Sequence, residues 1–315
     1  MLSFVPFASS PLKEALLYKA MVKMPSQKVD LVMWAKNCSK FLPQVLKRIE
    51  VVSSSQVKQK ILVDDHSSDS TVKIAKDFNW KVYENPSTGI SSGSNEALKH
   101  VESPYFISFE QDLLLARDWW QKIPQHLEKP KVAVASGMRL ADKPVGLRKL
   151  QQYVAKKYRR ETELASWLKS RKMSAFTLGK TLDNTMYRTK VIRALGGFPK
   201  MSCNAGVDAV LAYKVEKAGF RWIVDYNVQS THLRQGLKQE LHHQQFYAST
   251  LHEVWRKLGE EADSPPPITK SGILFRLTIS PATGVFIACK TREPSIIYIH
   301  PLIRLYYVKG LLAGG

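Results

Sequence analysis

From Val29 to Met138 the chain alternates between compact apolar runs and segments whose apolar residues are spaced at helical intervals. Val29–Ala35, Lys60–Val63, Lys81–Tyr83, Tyr105–Phe109 and Val132–Ser136 are short and apolar, and they predict strands. Phe41–Val52, Ser70–Phe78, Ser91–His100 and Asp118–Leu127 predict helices between them. Thr71, Ile74, Ala75 and Phe78 form one such stripe at i, i+3, i+4 and i+7, behind Asp69 or Ser70 as a cap. Strand and helix in strict alternation predict a parallel sheet covered by helices on both faces. Ligands of such sheets bind beyond the carboxyl ends of the strands.

The pattern loosens after Met138. Lys143–Lys172 is helical and basic, Thr181–Tyr187 and Arg221–Asp225 predict strands, and Gly206–Ala218 predicts a helix closed by Gly219. A polar helix rich in His and Gln spans about Gln239 to Leu258. The run Ser264–Pro265–Pro266–Pro267 marks a linker, and the chain beyond it is apolar. Four regions follow: an extension over 1–28, a catalytic-sized domain over 29–260, a Pro-rich linker over 261–270 and an apolar appendage over 271–315. No repeat is visible.

Charge narrows the partners. Lys and Arg number 47 against 27 Asp and Glu, a net charge of +20 over 315 residues, which favours polyanions: nucleic acid, anionic lipid or phosphorylated substrates. Between Lys143 and Lys172 stand ten basic residues and only Glu161 and Glu163 as acids. Interrupted apolar pieces with basic and tyrosine flanks fill 271–315, a pattern suited to a membrane interface or to burial against the main domain. No stretch approaches the ~18 uncharged apolar residues of a spanning helix, so the chain is not expected to cross a membrane. Cys38, Cys203 and Cys289 are scattered and unpaired in pattern, and Leu2–Ala8 does not read as a secretory signal, so a cytoplasmic setting is expected.

Three strand ends carry the candidate chemistry. Val63 runs into Asp64–Asp65–His66–Ser67–Ser68–Asp69–Ser70–Thr71, Phe109 into Glu110–Gln111–Asp112, and the first strand into Lys36–Asn37. Carboxylates at one sheet edge can bind a base and ribose and hold a cation that neutralises a diphosphate. Each cluster alone could be a turn, a cap or a solvated loop. There is no GxGxxG and no P-loop.

These segments, with Gly89–Ile90–Ser91 and Asn95, Asp118–Trp119, Gly196–Gly197–Phe198, Asp208–Ala209–Val210–Leu211, Gly219–Phe220 and His232, resemble the inverting family 2 glycosyltransferases of the GT-A fold. The resemblance covers about Val29 to His232. It implies a Rossmann-like, mixed but mostly parallel sheet with helices on both faces, followed by an apolar or amphipathic appendage. It implies that Asp65, Lys36, Asn37, Asn95 and Glu110 bind the nucleotide sugar, with Arg139 and Arg234 as fixed positive charges for the diphosphate. Asp112 and His232 would hold a divalent cation, Mg or Mn, and Asp208 would be the general base. Two departures stand out: Glu110 replaces the first Asp of D-x-D, and Val207 replaces the Glu before the base. The implied donor is a GDP- or UDP-hexose. The implied acceptor is a polyprenyl or dolichyl phosphate, as in dolichyl-phosphate mannose synthases, or a lipid-linked glycan that is elongated. The enzyme would then lie peripherally on the anionic cytoplasmic face of a membrane, with no nucleic-acid partner. A nucleic-acid-binding protein and a metal-dependent phosphohydrolase using Asp64, Asp65, Asp112 and His232 are the competing readings.

Overall fold

The computed structural model describes residues 28–53, 56–167, 179–202, 204–233, 236–261 and 270–314. The extension over 1–27, nearly all of the linker (262–269), Cys203, Arg234 and the end of the basic segment (168–178) lie outside the described residues.

Among the described residues the frame is an eight-stranded mixed sheet. Its first half follows the alternation: β1 (Val29–Ala35), α1 (Leu42–Val52), β2 (Val57–Asp64), α2 (Thr71–Asp77), β3 (Lys81–Glu84), α3 (Gly89–His100) and β4 (Tyr105–Phe109). β1 lies between β2 and β4 with both neighbours parallel, and β3 is parallel to β2 on the edge. β1 and β4 are buried nearly throughout, which is why they are apolar runs rather than alternations. Leu31, Met33, Ile107 and Phe109 face one core with Leu42, Leu46 and Ile49 of α1. Val32 and Phe106 point the other way, into a core with Ala97 and Leu98 of α3. The period of two thus divides the strands between two layers.

The second half brings in the antiparallel strands of the expected mixed, mostly parallel sheet. After β5 (Leu113–Leu114), α4 (Trp119–His126), β6 (Val132–Ala141) and α5 (Val145–Trp167) comes β7 (Thr185–Arg188). β7 inserts between β4 and β6, antiparallel to both. It leads through α6 (Thr189–Ala194) and α7 (Val207–Lys217) to β8 (Arg221–His232), which runs parallel to β6 and pairs antiparallel with β5. The strand order is β3-β2-β1-β4-β7-β6-β8-β5. β8 is seven residues longer than its first apolar run suggests, because residues 226–228 bulge out and pairing with β6 resumes at Gln229. That extension carries His232 to the sheet's carboxyl edge.

The expected polar helix over 239–258 is two helices, α8 (Gly236–Ser249) and α9 (Leu251–Glu261), broken at Thr250. Three more follow: α10 (Lys270–Thr278), α11 (Ser280–Thr291) and α12 (Ile296–Ala313). Ile287 of α11 and Ile296 and Ile299 of α12 pack against Leu147 and Leu150 of α5, so the appendage has its own small core on the main domain. The apolar pieces 296–299 and 302–308 belong to one 18-residue helix, long and apolar enough by composition to cross a membrane. It is not an uncharged run, since it carries Arg304 and Lys309; the two pieces join because Pro301 lies within the helix without ending it.

Candidate active site

The carboxyl ends of β1, β2, β4 and β8 lie on one edge of the sheet, and the predicted residues gather there at two ends. The first is built from neighbouring loops. The Asp65 carboxylate accepts from Asn85 Nδ2 at 2.8 Å and from the Gly89 amide at 3.2 Å, and Lys36 Nζ lies 3.6 Å away. Asn37 holds a positive φ of 46° and its Oδ1 accepts from the Ser68 amide at 2.8 Å. Asp69 accepts from the amides of Ser39 (3.0 Å) and Thr71 (2.9 Å), while Thr71 Oγ1 accepts from the Cys38 amide at 2.8 Å. Some loss of solvation works against the Asp69 charge, and the bonds from Thr71 and Ser39 outweigh it, holding this carboxyl far below its usual range. The Asp-x-Thr pair therefore ties the β2 loop to the β1 loop. Gln111 makes the second tie: its Oε1 accepts from the Lys36 amide at 2.7 Å, locking the end of β4 to β1. Asp64 is buried, and its Oδ1 has no hydrogen-bond partner in the structure.

The second end is a cluster of charges from distant parts of the chain. His232 Nε2 lies 3.2 Å from Glu110 Oε2 and 3.3 Å from Asp112 Oδ1, with Leu113 paired to His232 across β5 and β8. Arg139 Nη1 stands 2.9 Å from Asp183 Oδ2 and 3.5 Å from Glu110 Oε2. Asp183 is fully buried. Asp208 sits in the first turn of α7, whose N-cap Gly206 takes a left-handed φ of 78°. A Cβ at Gly206 would lie 2.2 Å from Val254 Cγ2, so the turn that presents Asp208 is pressed against α9 and requires glycine. Asp208 remains reachable by solvent, yet protein closely surrounds it. Its pKa is raised to about 6, first by lost solvation and then by Asp183 and Glu110, with Arg139 opposing. Burial also raises Asp183, again against Arg139. For His232 burial opposes the charge, and the hydrogen bonds to Asp112 and Glu110 prevail, raising its pKa. Tyr247 of α8 has its pKa raised first by burial, with the negative field of Asp208 adding to it.

Four carboxylates (Glu110, Asp112, Asp183 and Asp208) thus face one guanidinium and one imidazole. The excess negative charge suits a divalent cation. Glu110, Asp112 and His232 offer ligand atoms all within 4.8 Å of one another, two hard oxygens and an imidazole nitrogen, as Mn or Mg requires. Glu110 in place of an Asp therefore still reaches the cluster.

Of the predicted residues, Lys36, Asn37 and Asp65 gather at the first end, and Glu110, Asp112, Arg139, Asp208 and His232 at the second. Asn95 does something else: its amide donates to Phe198 O (2.9 Å) and Ser91 O (2.8 Å) and accepts from the Phe198 amide (2.9 Å). Its side chain braces the Gly196–Gly197–Phe198 turn. Arg139 is likewise a partner of Asp183 and Glu110 before it is a free charge for a diphosphate. Arg234 lies outside the described residues. Asp183, Asn85 and Gln111 were not singled out from the sequence; Asp183 follows a Thr two residues before it, within what reads as an ordinary strand.

The sequence profile of "Glycosyl transferase family 2" matches residues 30–196. No curated protein matches the sequence. Among solved structures, similarity is found to the mannosyltransferase PcManGT from Pyrobaculum calidifontis in complex with GDP-Man and Mn2+: TM-score 0.63, 15% identity, 96% of this chain and 94% of that one. Glucosyl-3-phosphoglycerate synthase from Mycobacterium tuberculosis, in complex with Mn2+, UDP and glucosyl-3-phosphoglycerate, matches with TM-score 0.53 and 13% identity over 84% of this chain and 88% of that one. At these identities the likeness is one of fold.

Proposed function

Since the chain belongs to glycosyl transferase family 2 and is a GT-A glycosyltransferase acting on nucleotide sugars, we propose that it moves a hexose, with inversion, from a GDP- or UDP-linked donor to a hydroxyl acceptor. The observation that carries this is the meeting of the Asp65 loop, the Glu110–Asp112–His232 cluster and Asp208 at one sheet edge. Asp65, braced by Asn85 and the Gly89 amide, receives the nucleotide base, with Lys36 and Asn37 beside it. Glu110, Asp112 and His232 hold a divalent cation, Mn or Mg, which when bound neutralises charge on the donor diphosphate. Arg139, fixed by Asp183, keeps Glu110 from repelling its neighbours. Asp208 takes the proton from the acceptor hydroxyl; a pKa near 6 makes it a stronger base than an ordinary Asp while leaving it ionised at neutral pH.

The same carboxylates bear on the acceptor. A bare polyprenyl or dolichyl phosphate would bring another negative charge toward Asp208 and would need no base. A lipid-linked glycan or saccharide offers the hydroxyl that Asp208 is suited to deprotonate. The enzyme works peripherally at an anionic cytoplasmic membrane surface, where such acceptors are displayed. A nucleic acid would meet a crevice lined with carboxylates, which disfavours that reading.

The test is thermal denaturation with GDP, UDP and their hexose derivatives, with and without Mn2+. Binding at a hundredfold over Kd should stabilise the protein by about 2.7 kcal/mol. The Mn2+-dependent part should vanish in Asp112→Ala. No shift with any nucleotide would refute the donor assignment.

A further inference from the structure

Helices in contact with water bury their apolar face and expose their polar one. The appendage does the reverse on its outer side. In α11 the buried residues are Ser280, Gly284, Ile287 and Ala288, two of them small and one polar, while Val285 (47% exposed) and Phe286 (53%) face outward. α10 exposes Leu274 and Phe275 (63% each), and the start of α12 exposes Ile297 and Tyr298. Large apolar side chains are thus left uncovered on three consecutive helices, well beyond the scattered surface Leu or Val of an ordinary soluble domain.

Charge identifies what covers them. Residues 270–314 contain a single acid, Glu293, and Lys149 Nζ already lies 3.5 Å from it. Lys290 stands 5.7 Å from the Phe286 ring centroid, and Lys309 5.0 Å from that of Tyr306, so basic groups rim the apolar side chains. A second copy of a chain carrying +20 would be repelled at such a rim. We propose that the outer face of α10–α12 docks in the headgroup region of an anionic lipid bilayer, with Leu274, Phe275, Val285, Phe286, Ile297 and Tyr298 inserted and Lys290 and Lys309 on the phosphates.

The helices lie on the bilayer without crossing it. α12 has spanning length, but it carries Arg304 near its midpoint and packs along α8. A Cβ at Gly310 would fall 2.0 Å from the Gln245 carbonyl oxygen, so the two backbones touch there.

The proposal gives the membrane of the proposed function its contact surface, and its test is independent of turnover. Full-length protein is floated with vesicles of phosphatidylcholine alone and with phosphatidylglycerol added, beside Val285→Asp/Phe286→Asp and Lys290→Glu/Lys309→Glu. Wild type should float with anionic vesicles and sediment with neutral ones at moderate salt. Each variant should partition at least about tenfold less, while Mn2+-nucleotide thermal shifts stay at wild-type size. Flotation of both variants like wild type overturns the proposal, as does a wild type that ignores phosphatidylglycerol. A concentration-dependent dimer in sedimentation that Phe286→Asp abolishes overturns it in favour of a second copy. If wild type floats but no nucleotide shifts it, the donor reading fails and the docking surface stands.

Discussion

The two ends of the site are assembled by different physics. At the Asp65 end, residues after four successive parallel strands are fixed by loop-to-loop hydrogen bonds: Gln111 to Lys36, Thr71 to Cys38, Ser68 to Asn37, Asn85 to Asp65. Most of these donors are neutral backbone or amide groups, so geometry is set bond by bond. At the Asp208 end, acids from β4, the approach to β7 and the start of α7 are held together by mutual charge through Arg139. Bonds at the first end can be lost singly; a charge lost at the second is felt by every neighbour.

The sharpest way to expose that coupling is Asp208→Asn. As the general base it should cost roughly 10²–10⁴ in kcat with nucleotide affinity retained. It should also stabilise the fold. Folding raises this carboxyl to about 6 from its ordinary 3.8, so its ionised form weighs against the native state at neutral pH. That penalty fades as pH falls through 6 and is gone below the unfolded pKa. Because the group is part-exposed, removing its charge should gain about 1–2 kcal/mol at pH 7. Urea unfolding beside turnover checks both; a variant that is both inactive and less stable would mean the coupling is absent.

Asp183→Ala should act in the opposite direction. Asp183 is fully buried 2.9 Å from Arg139, and losing it leaves the guanidinium without its nearest counter-charge. A loss of about 3 kcal/mol is expected, at the lower end for a broken buried pair because Arg139 reaches solvent. Two acids of one cluster, one stabilising and one destabilising when removed, would be hard to explain by local packing.

The same contrast governs what could be read from the sequence. The first end was legible because β1 to β4 are consecutive strand–helix units, and the residues after an apolar run of a parallel sheet must lie at its edge. Asp208 was reached by resemblance, since an acid at the opening of a helix complements the helix dipole whether or not it is a base. Asp183 was not: its importance comes from β7 entering between β4 and β6, antiparallel, and no spacing along the chain announces that insertion. His232 was reached by resemblance, since the bulge at 226–228 interrupts the apolar pattern that leads to it. A motif Asn looks the same in sequence whether its amide meets a ligand or, as Asn95 does here, the Phe198 backbone.

A smaller effect is the pH profile. Asp208 must be ionised to accept a proton, so single-turnover rates should be flat above about pH 6 and fall roughly tenfold per unit below it. A bound cation would move the fall lower, never higher. A profile that rises on acidification would remove Asp208 from the role of base.

The smallest effect is expected where only a surface charge is lost. Lys36 Nζ is half exposed and 3.6 Å from Asp65, and Asp65 is already held by Asn85 and the Gly89 amide. Lys36→Ala should therefore weaken nucleotide binding by less than about 1 kcal/mol, diminishing further in high salt, and leave kcat and unfolding midpoint unchanged. Isothermal titration with nucleotide at two salt concentrations decides it. A loss comparable to that of Asp183→Ala would show that the Asp65 end, too, is governed by charge and not by its hydrogen-bonded loops, and the distinction between the two ends would fall.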